Sequence, residues 1–229
     1  MRRRGTSGFT LIELLVALFV MALLAILSWR GLDGMTRAQA QTEARADGVL
    51  ALQVGLAQWD ADLDALQQVP QASAIEWNGR VLRMTRRSTA SATDGVLVVA
   101  WTRRAVNGVG TWLRWQSAPV VTRGDLQAAW AAADAWSQSP GEESMQREVA
   151  IVPLDEWQIY FFRENAWTNP LSSDVKTAAA PAVPGAPAVQ AAAVIPDGVR
   201  LVLTLPGGQP ITGTLSTDWV RPTVGGSKG

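Results

Sequence analysis

Three patterns of apolar and polar positions succeed one another along the chain. From Phe9 to Leu27 every position is apolar except Thr10 and Glu13. Further on, Val49, Leu52, Leu56, Trp59, Leu63 and Leu66 step by 3, 4, 3, 4 and 3, with Gln, Asp and Ala on the other face. That is a narrow apolar stripe at helical spacing. Past Pro70 the period becomes that of strands. The first pattern predicts a membrane span over 9–29, since nineteen helical residues reach about 28 Å, close to the hydrocarbon thickness. The second predicts that the helix continues over 30–68, the seam opening at Leu32 and Met35. No Pro occurs before Pro70, so one helix from Phe9 to about Gln67 would be about 87 Å long, with Val69-Pro70 ending it. Gly31, Gly34, Gly48 and Gly55 each weaken it by about 1 kcal/mol, and Gly31 and Gly34 allow it to bend. The stripe itself reads as core packing, the seat of a β-domain.

The third pattern predicts a β-rich domain over 69–224. Ile75–Trp77 and Arg80–Thr85 flank Asn78-Gly79, a two-residue hairpin signal. Val96–Thr102 and Thr111–Gln116 lie either side of Asn107-Gly108, and Trp157–Arg163 and Val199–Leu205 read as further strands. Pro206-Gly207-Gly208 turns into a last strand, Ile211–Leu215, making seven short strands joined mostly as antiparallel hairpins. Asp125–Trp136 reads as a short helix capped by Asp125, a surface insertion carrying Trp130 and Trp136. Thr177–Pro196, nearly all Ala, Pro and Val, reads as a flexible loop between two strands of one domain, and 225–229 as a tail. The expected class is α+β: a long N-terminal helix packed on antiparallel sheet.

Composition narrows the chemistry. Hydrophobic residues make up 48% of the 229 and charged residues 17%, enough for a core and too little charge for a disordered chain. Twenty basic residues balance twenty acidic ones, which argues against a nucleic-acid coat. There is no Cys, hence no disulfide framework, thiolate metal site or Cys nucleophile. There is no His, which removes His-based triads, His-ligated zinc and the usual general base. No cofactor or metal is expected. Asp60, Asp62 and Asp64 alternate as in a calcium loop, but Ala65-Leu66 follow where Gly would be needed, so they read as a solvated helix end. Asp155-Glu156 and Glu142-Glu143 are the acid pairs a glycosidase would need, without a surrounding motif. Of eleven Trp, Trp77, Trp101, Trp112 and Trp115 fall on expected strands and read as core, while Trp130, Trp136 and Trp167 are candidates for exposure. Arg83, Arg86, Arg87, Arg103 and Arg104 read as one solvated face, with contact to an acidic partner as the alternative.

The start of the chain, Met1-Arg2-Arg3-Arg4-Gly5-Thr6-Ser7-Gly8, places three Arg before the apolar run, and few basic residues follow it closely. That asymmetry predicts a cytoplasmic N-terminus with the bulk of the chain across the membrane. A secretory signal peptide and a plain signal anchor are alternatives, but neither explains a carboxylate near the start of the run. Gly8-Phe9-Thr10-Leu11-Ile12-Glu13 resembles the type III signal of prepilins and pseudopilins. The resemblance implies that a membrane prepilin peptidase removes 1–8, cutting between Gly8 and Phe9, and methylates the new N-terminal Phe9. It also implies that Glu13 serves assembly, facing the Phe9 α-amine of a neighbouring subunit. A carboxylate snorkelling to the interface is the plainer reading of Glu13.

Further along, Ser28-Trp29-Arg30-Gly31-Leu32-Asp33 resembles a stretch of pseudopilin J, a minor subunit of type II secretion. Trp59-Asp60-Ala61-Asp62-Leu63 is similar to the acidic helix end of that family, with Ala where Arg is commoner, and Val199–Leu205 followed by Gly207-Gly208 also fits. The resemblance implies the pseudopilin fold and a non-enzymatic role. The subunit would sit in a tip complex with pseudopilins I and K, with H and the major pseudopilin as further candidates. It would be a single-pass protein of a Gram-negative inner membrane with its bulk in the periplasm, priming a filament that exports folded proteins. Leu32, Met35, Val49, Leu52 and Leu56 would be where subunits pack. A minor pilin of a type IV system is the nearer alternative and a membrane-anchored periplasmic enzyme the farther one.

Overall fold

A computed structural model describes residues 9–70, 72–88, 95–171 and 195–222. The expected leader 1–8, residues 177–194 of the Ala/Pro stretch and the tail 225–229 lie outside them. The chain divides into two compact units, residues 1–47 and 48–229.

In the first unit the described residues form a helix, the first part of α1, which runs Leu11–Asp64 and reaches into the second unit. Its start is a capping box. The Thr10 hydroxyl accepts from the Glu13 amide, while the Thr10 amide donates to Glu13 Oε2 at 2.9 Å. Helix passes through Gly31 and Gly34 without interruption. Arg37 and Asp33 pair at 3.0 Å one turn apart, and Gln39 donates to Glu43 at 3.0 Å. The large apolar side chains from Phe9 to Leu27 are all exposed within the chain. This is the one helix among the described residues long and apolar enough to cross a membrane.

The second unit holds the end of α1, two antiparallel sheets and a helix on the outer face of one of them. The first sheet comprises β1 (Ile75–Trp77), β2 (Val81–Arg87), β3 (Val96–Val106), β4 (Val109–Gln116) and β5 (Glu148–Pro153), in that order. The second comprises β6 (Glu156–Arg163), β7 (Ala166–Thr168), β8 (Gly198–Leu205) and β9 (Gly213–Val220), in the order β7-β6-β8-β9. Nine strands are therefore described where seven were expected. β5 and β7 are the additions, and β9 starts two residues later and runs further than Ile211–Leu215.

Local chemistry sets the turns. Asn107 and Gly108 take φ of 51° and 81°, a two-residue turn of the kind whose twist matches the flanking strands. Glu164 and Asn165, at 48° and 65°, repeat that geometry between β6 and β7 without any Gly, so composition gave no warning of this hairpin. At Asn78-Gly79 the Asn78 carboxamide accepts from the amides of Arg80 and Val81 at 3.1 and 2.9 Å.

Two apolar clusters flank the first sheet. The larger joins Leu52, Trp59 and Leu63 of α1 to Trp77, Met84, Trp101 and Trp112 of the first sheet and Ile159, Leu201, Leu203 and Trp219 of the second. The other lies beneath α2 (Arg123–Gln138), whose Leu126, Ala129, Ala133 and Trp136 cover Val98, Leu113 and Trp115. This corrects the reading of Asp125–Trp136 as a surface insertion. Its cap is corrected too: Thr122 is the N-cap, accepting from the Asp125 amide at 3.2 Å, and Asp125 is the third helical residue. The strand Trp are core as expected, but Trp136 is 1% exposed, not a surface residue. Its indole donates to Glu148. Trp130 and Trp167 are half-buried, each beneath a guanidinium, of Arg83 and Arg200 respectively.

Candidate functional site

Two places carry the chemistry the sequence singled out. The first is the start of α1. Phe9 is 89% exposed, and Glu13 lies one turn on, bonded to both the amide and the hydroxyl of Thr10. Gly8 lies outside the described residues, so the bond between Gly8 and Phe9 is not placed. The Glu13 carboxylate is thus engaged within its own chain and sits where a helix N-terminus favours negative charge. A cation brought by another molecule would compete with the Thr10 donors for it. Of the proposed subunit contacts, Leu32 and Met35 are exposed, and Val49 and Leu56 are half-buried. Leu52 corrects the expectation, because at 4% exposure it belongs to the domain's own core and has no surface left for a neighbour. Leu56 packs on the same core.

The second place is the acidic helix end, where Asp60, Asp62 and Asp64 diverge instead of forming one solvated group. Asp62 is fully buried. Its Oδ2 accepts from Trp101 Nε1 at 2.9 Å and Arg114 Nε at 2.8 Å. Its Oδ1 accepts from Arg114 Nη2 and Gln58 Nε2, each at 2.9 Å, and from Arg86 Nη1. A bidentate arginine and a second guanidinium on one carboxylate give the strongest class of side-chain hydrogen bond. Asp64 takes the Trp219 indole of β9 at 2.8 Å. Asp60 stays exposed, and partial desolvation followed by the neighbouring Asp64 charge raises its pKa. The buried Asp62 and the exposed Asp64 therefore tie the helix to one sheet each, Asp62 to the first and Asp64 to the second.

The sequence reading missed this node, although one signal was available. Asp62 stands three residues after Trp59 and four before Leu66, on the apolar stripe itself. A charge on a buried stripe demands a partner. Of the two arginines that answer it, Arg86 came from the supposed solvated face, which the structure corrects, and Arg114 was not among the residues singled out. Arg83 bonds Glu76 at 2.6 Å, Arg104 bonds Glu148 at 2.6 Å, and Arg103 donates to the Leu154 carbonyl at 2.9 Å. Of the five, Arg87 and Arg103 remain exposed, while Arg86 is buried and Arg83 and Arg104 are half-buried. Around the node, the rings of Trp59, Trp101 and Trp112 lie 4.5 to 6.1 Å apart, edge-on or tilted to one another.

An exposed apolar helix with a capped carboxylate in its first turn, leading into an α+β domain, is consistent with a membrane anchor bearing a prepilin-type signal. Comparison agrees at that terminus: residues 3–29 match the family model described as the prokaryotic N-terminal methylation motif. Among solved structures, the chain resembles one from the GspK-GspI-GspJ complex of the type 2 secretion system of enterotoxigenic Escherichia coli. The TM-score is 0.44 at 16% identity, over 76% of this chain and 97% of that one. No curated protein matches.

Proposed function

We propose that this chain is a minor pseudopilin of a type II secretion system, of the J class, acting as a structural subunit and not an enzyme. The carrying observation is the methylation motif over residues 3–29, with Glu13 in the first turn of a helix that stays apolar and exposed to Leu27. On this reading a prepilin peptidase cuts between Gly8 and Phe9 and methylates Phe9. The helix then anchors the protein in the inner membrane with its N-terminus cytoplasmic and its β-domain periplasmic. An incoming subunit brings its Phe9 amine to Glu13, exchanging the Thr10 bonds for an ion pair and so fixing the register of neighbouring helices. The exposed Leu32 and Met35 extend that packing surface. The partners proposed are pseudopilins I and K, with which the chain would form the tip that primes the filament. The stretch Ser28–Asp33, similar to the J pattern, supports that class over a type IV minor pilin.

Crosslinked recovery of the tagged chain from its own membranes, read by mass spectrometry, tests the reading. N-methylated Phe9 at the mature terminus together with pseudopilins I and K is the expected result. Type IV pilus subunits would replace the J assignment, and an intact Met1 terminus would overturn the whole class. Glu13→Ala is expected to remain in the membrane but to co-sediment poorly with the filament.

A further inference from the structure

A groove runs across the end of β4, and nothing in the proposed filament role uses it. Three clefts form it, and neighbouring clefts share walls. The first, of about 270 Å³, is lined by Trp115, Val120 and the Ala128, Ala129 and Ala132 methyls, with Arg147 at its rim. The middle one, of about 360 Å³, shares Ser117, Ala118 and Arg147 with the first and adds Arg114 and Gln116. The third, of about 450 Å³, keeps Arg114 and Gln116 and adds Gln58 and Arg86. The groove thus passes from an apolar end to a cationic middle.

The charge is not balanced. Three guanidiniums line the groove, those of Arg86, Arg114 and Arg147, against Glu143 on the wall and the buried Asp62 behind it. Arg114 gives Nε and Nη2 to Asp62 and Gln116, and among the described residues its Nη1 has no acceptor. That nitrogen is not sealed from solvent either. Among the described residues the Arg147 side chain is held only by Glu143, at 3.1 Å in an exposed pair one turn apart. Such pairs contribute little, so a better-placed carboxylate displaces this one readily. At the apolar end the buried Trp115 indole nitrogen has no acceptor among the described residues.

We propose that this groove docks an extended acidic segment of a partner protein. A carboxylate of the segment lies between Arg114 and Arg147, and a small apolar side chain lies against the Ala128, Ala129 and Ala132 methyls. Charge complementarity selects the occupant, because guanidinium forks with open donors, one on the half-buried Arg114 and one on the exposed Arg147, recognise carboxylates in defined geometry. The Asp62 node holds Arg114 rigid, so the donor is pre-organised before the segment arrives. The inference does not depend on assembly into a filament.

Fluorescence anisotropy on the full chain in detergent tests it, with a labelled peptide alternating Asp and Ala as probe and the matched Asn peptide as control. The Asp peptide is expected to bind and to weaken steeply with added salt. Arg147→Glu is expected to weaken it at least about tenfold and Arg147→Lys far less, with both variants melting as the parent does. Arg147 is the variant of choice because it lies outside the Asp62 node. Equal binding of the Asn peptide, or unchanged binding to Arg147→Glu, would overturn the proposal. So would retention of sulfate or acetate without any retention of the peptide.

Discussion

Replacing Asp62 by Asn changes one atom, and the structure makes the consequence large. The carboxylate is fully buried and accepts five hydrogen bonds from four side chains. An Asn oxygen accepts at one atom only, and its amide would point hydrogens at a guanidinium or an indole. Arg86 and Arg114 have side chains 7% and 12% exposed, so two cations would face each other with no counter-charge. Breaking a buried ion pair by removing one partner costs about 3–5 kcal/mol. Against a total stability of about 5–15 kcal/mol, that is a substantial share of what holds the domain together. In melting temperature it corresponds to a fall of about 6–20 °C for a domain of this size. Urea unfolding of the full chain in detergent, followed by tryptophan fluorescence, reads it directly because Trp101 donates to the same carboxylate. A double-mutant cycle with Arg114→Gln isolates the pair: the two losses together should be smaller than their sum. A loss under about 1 kcal/mol for Asp62→Asn, or strict additivity in the cycle, would refute the reasoning.

Other substitutions separate core from surface along the same helix. Gly55→Ala is expected to destabilise by about 1–3 kcal/mol, since its Cβ would collide with Ile151 and stand 3.2 Å from Trp112. Gly34→Ala, with nothing within 4 Å, should raise helix stability by about 1 kcal/mol; both are read by denaturant melts. Thr122→Ala removes the hydroxyl that caps α2 and should cost about 1 kcal/mol by the same melts, while Thr122→Ser should restore most of it. The Arg200 hydrogen bonds to Asp218, both 2.7 Å, hold that carboxyl below its ordinary value near 3.8. A depressed pKa means the folded state binds fewer protons than the unfolded one, so this stabilisation is present above about pH 4 and is lost as pH falls through the folded value. Acid titration of the melting temperature should therefore flatten below about pH 4 in Asp218→Asn.

Much of this protein is written in local pattern. The apolar run from Phe9, its carboxylate at Glu13 and the helical stripe from Val49 are one-dimensional signals, and the long helix follows from them. Asn107-Gly108 announces its hairpin because Gly accepts positive φ without strain. The β6–β7 hairpin could not be seen in this way, since Glu164 and Asn165 carry the same geometry under the pull of their strands. α2 looked like an insertion because its Ala-rich sequence shows a narrow apolar face. Only the presence of Val98, Leu113 and Trp115 beneath it makes that face core.

The arginines show the division most clearly. Local pattern was enough for a long apolar helix, a β-rich domain and a carboxylate at position 62 on the helical stripe. It did not determine which of the basic residues would meet that carboxylate. Arg86 is 24 residues away from Asp62 and Arg114 is 52 away, and pairing over such distances is decided by strand register. Arg83 pairs across the strand with Ala100 and Arg86 with Leu97, three residues apart on β2 and so on opposite faces. One meets α2 and the other meets α1. A side-chain period of two turns a local run of basic residues into partners for two different layers, and only the folded sheet settles which.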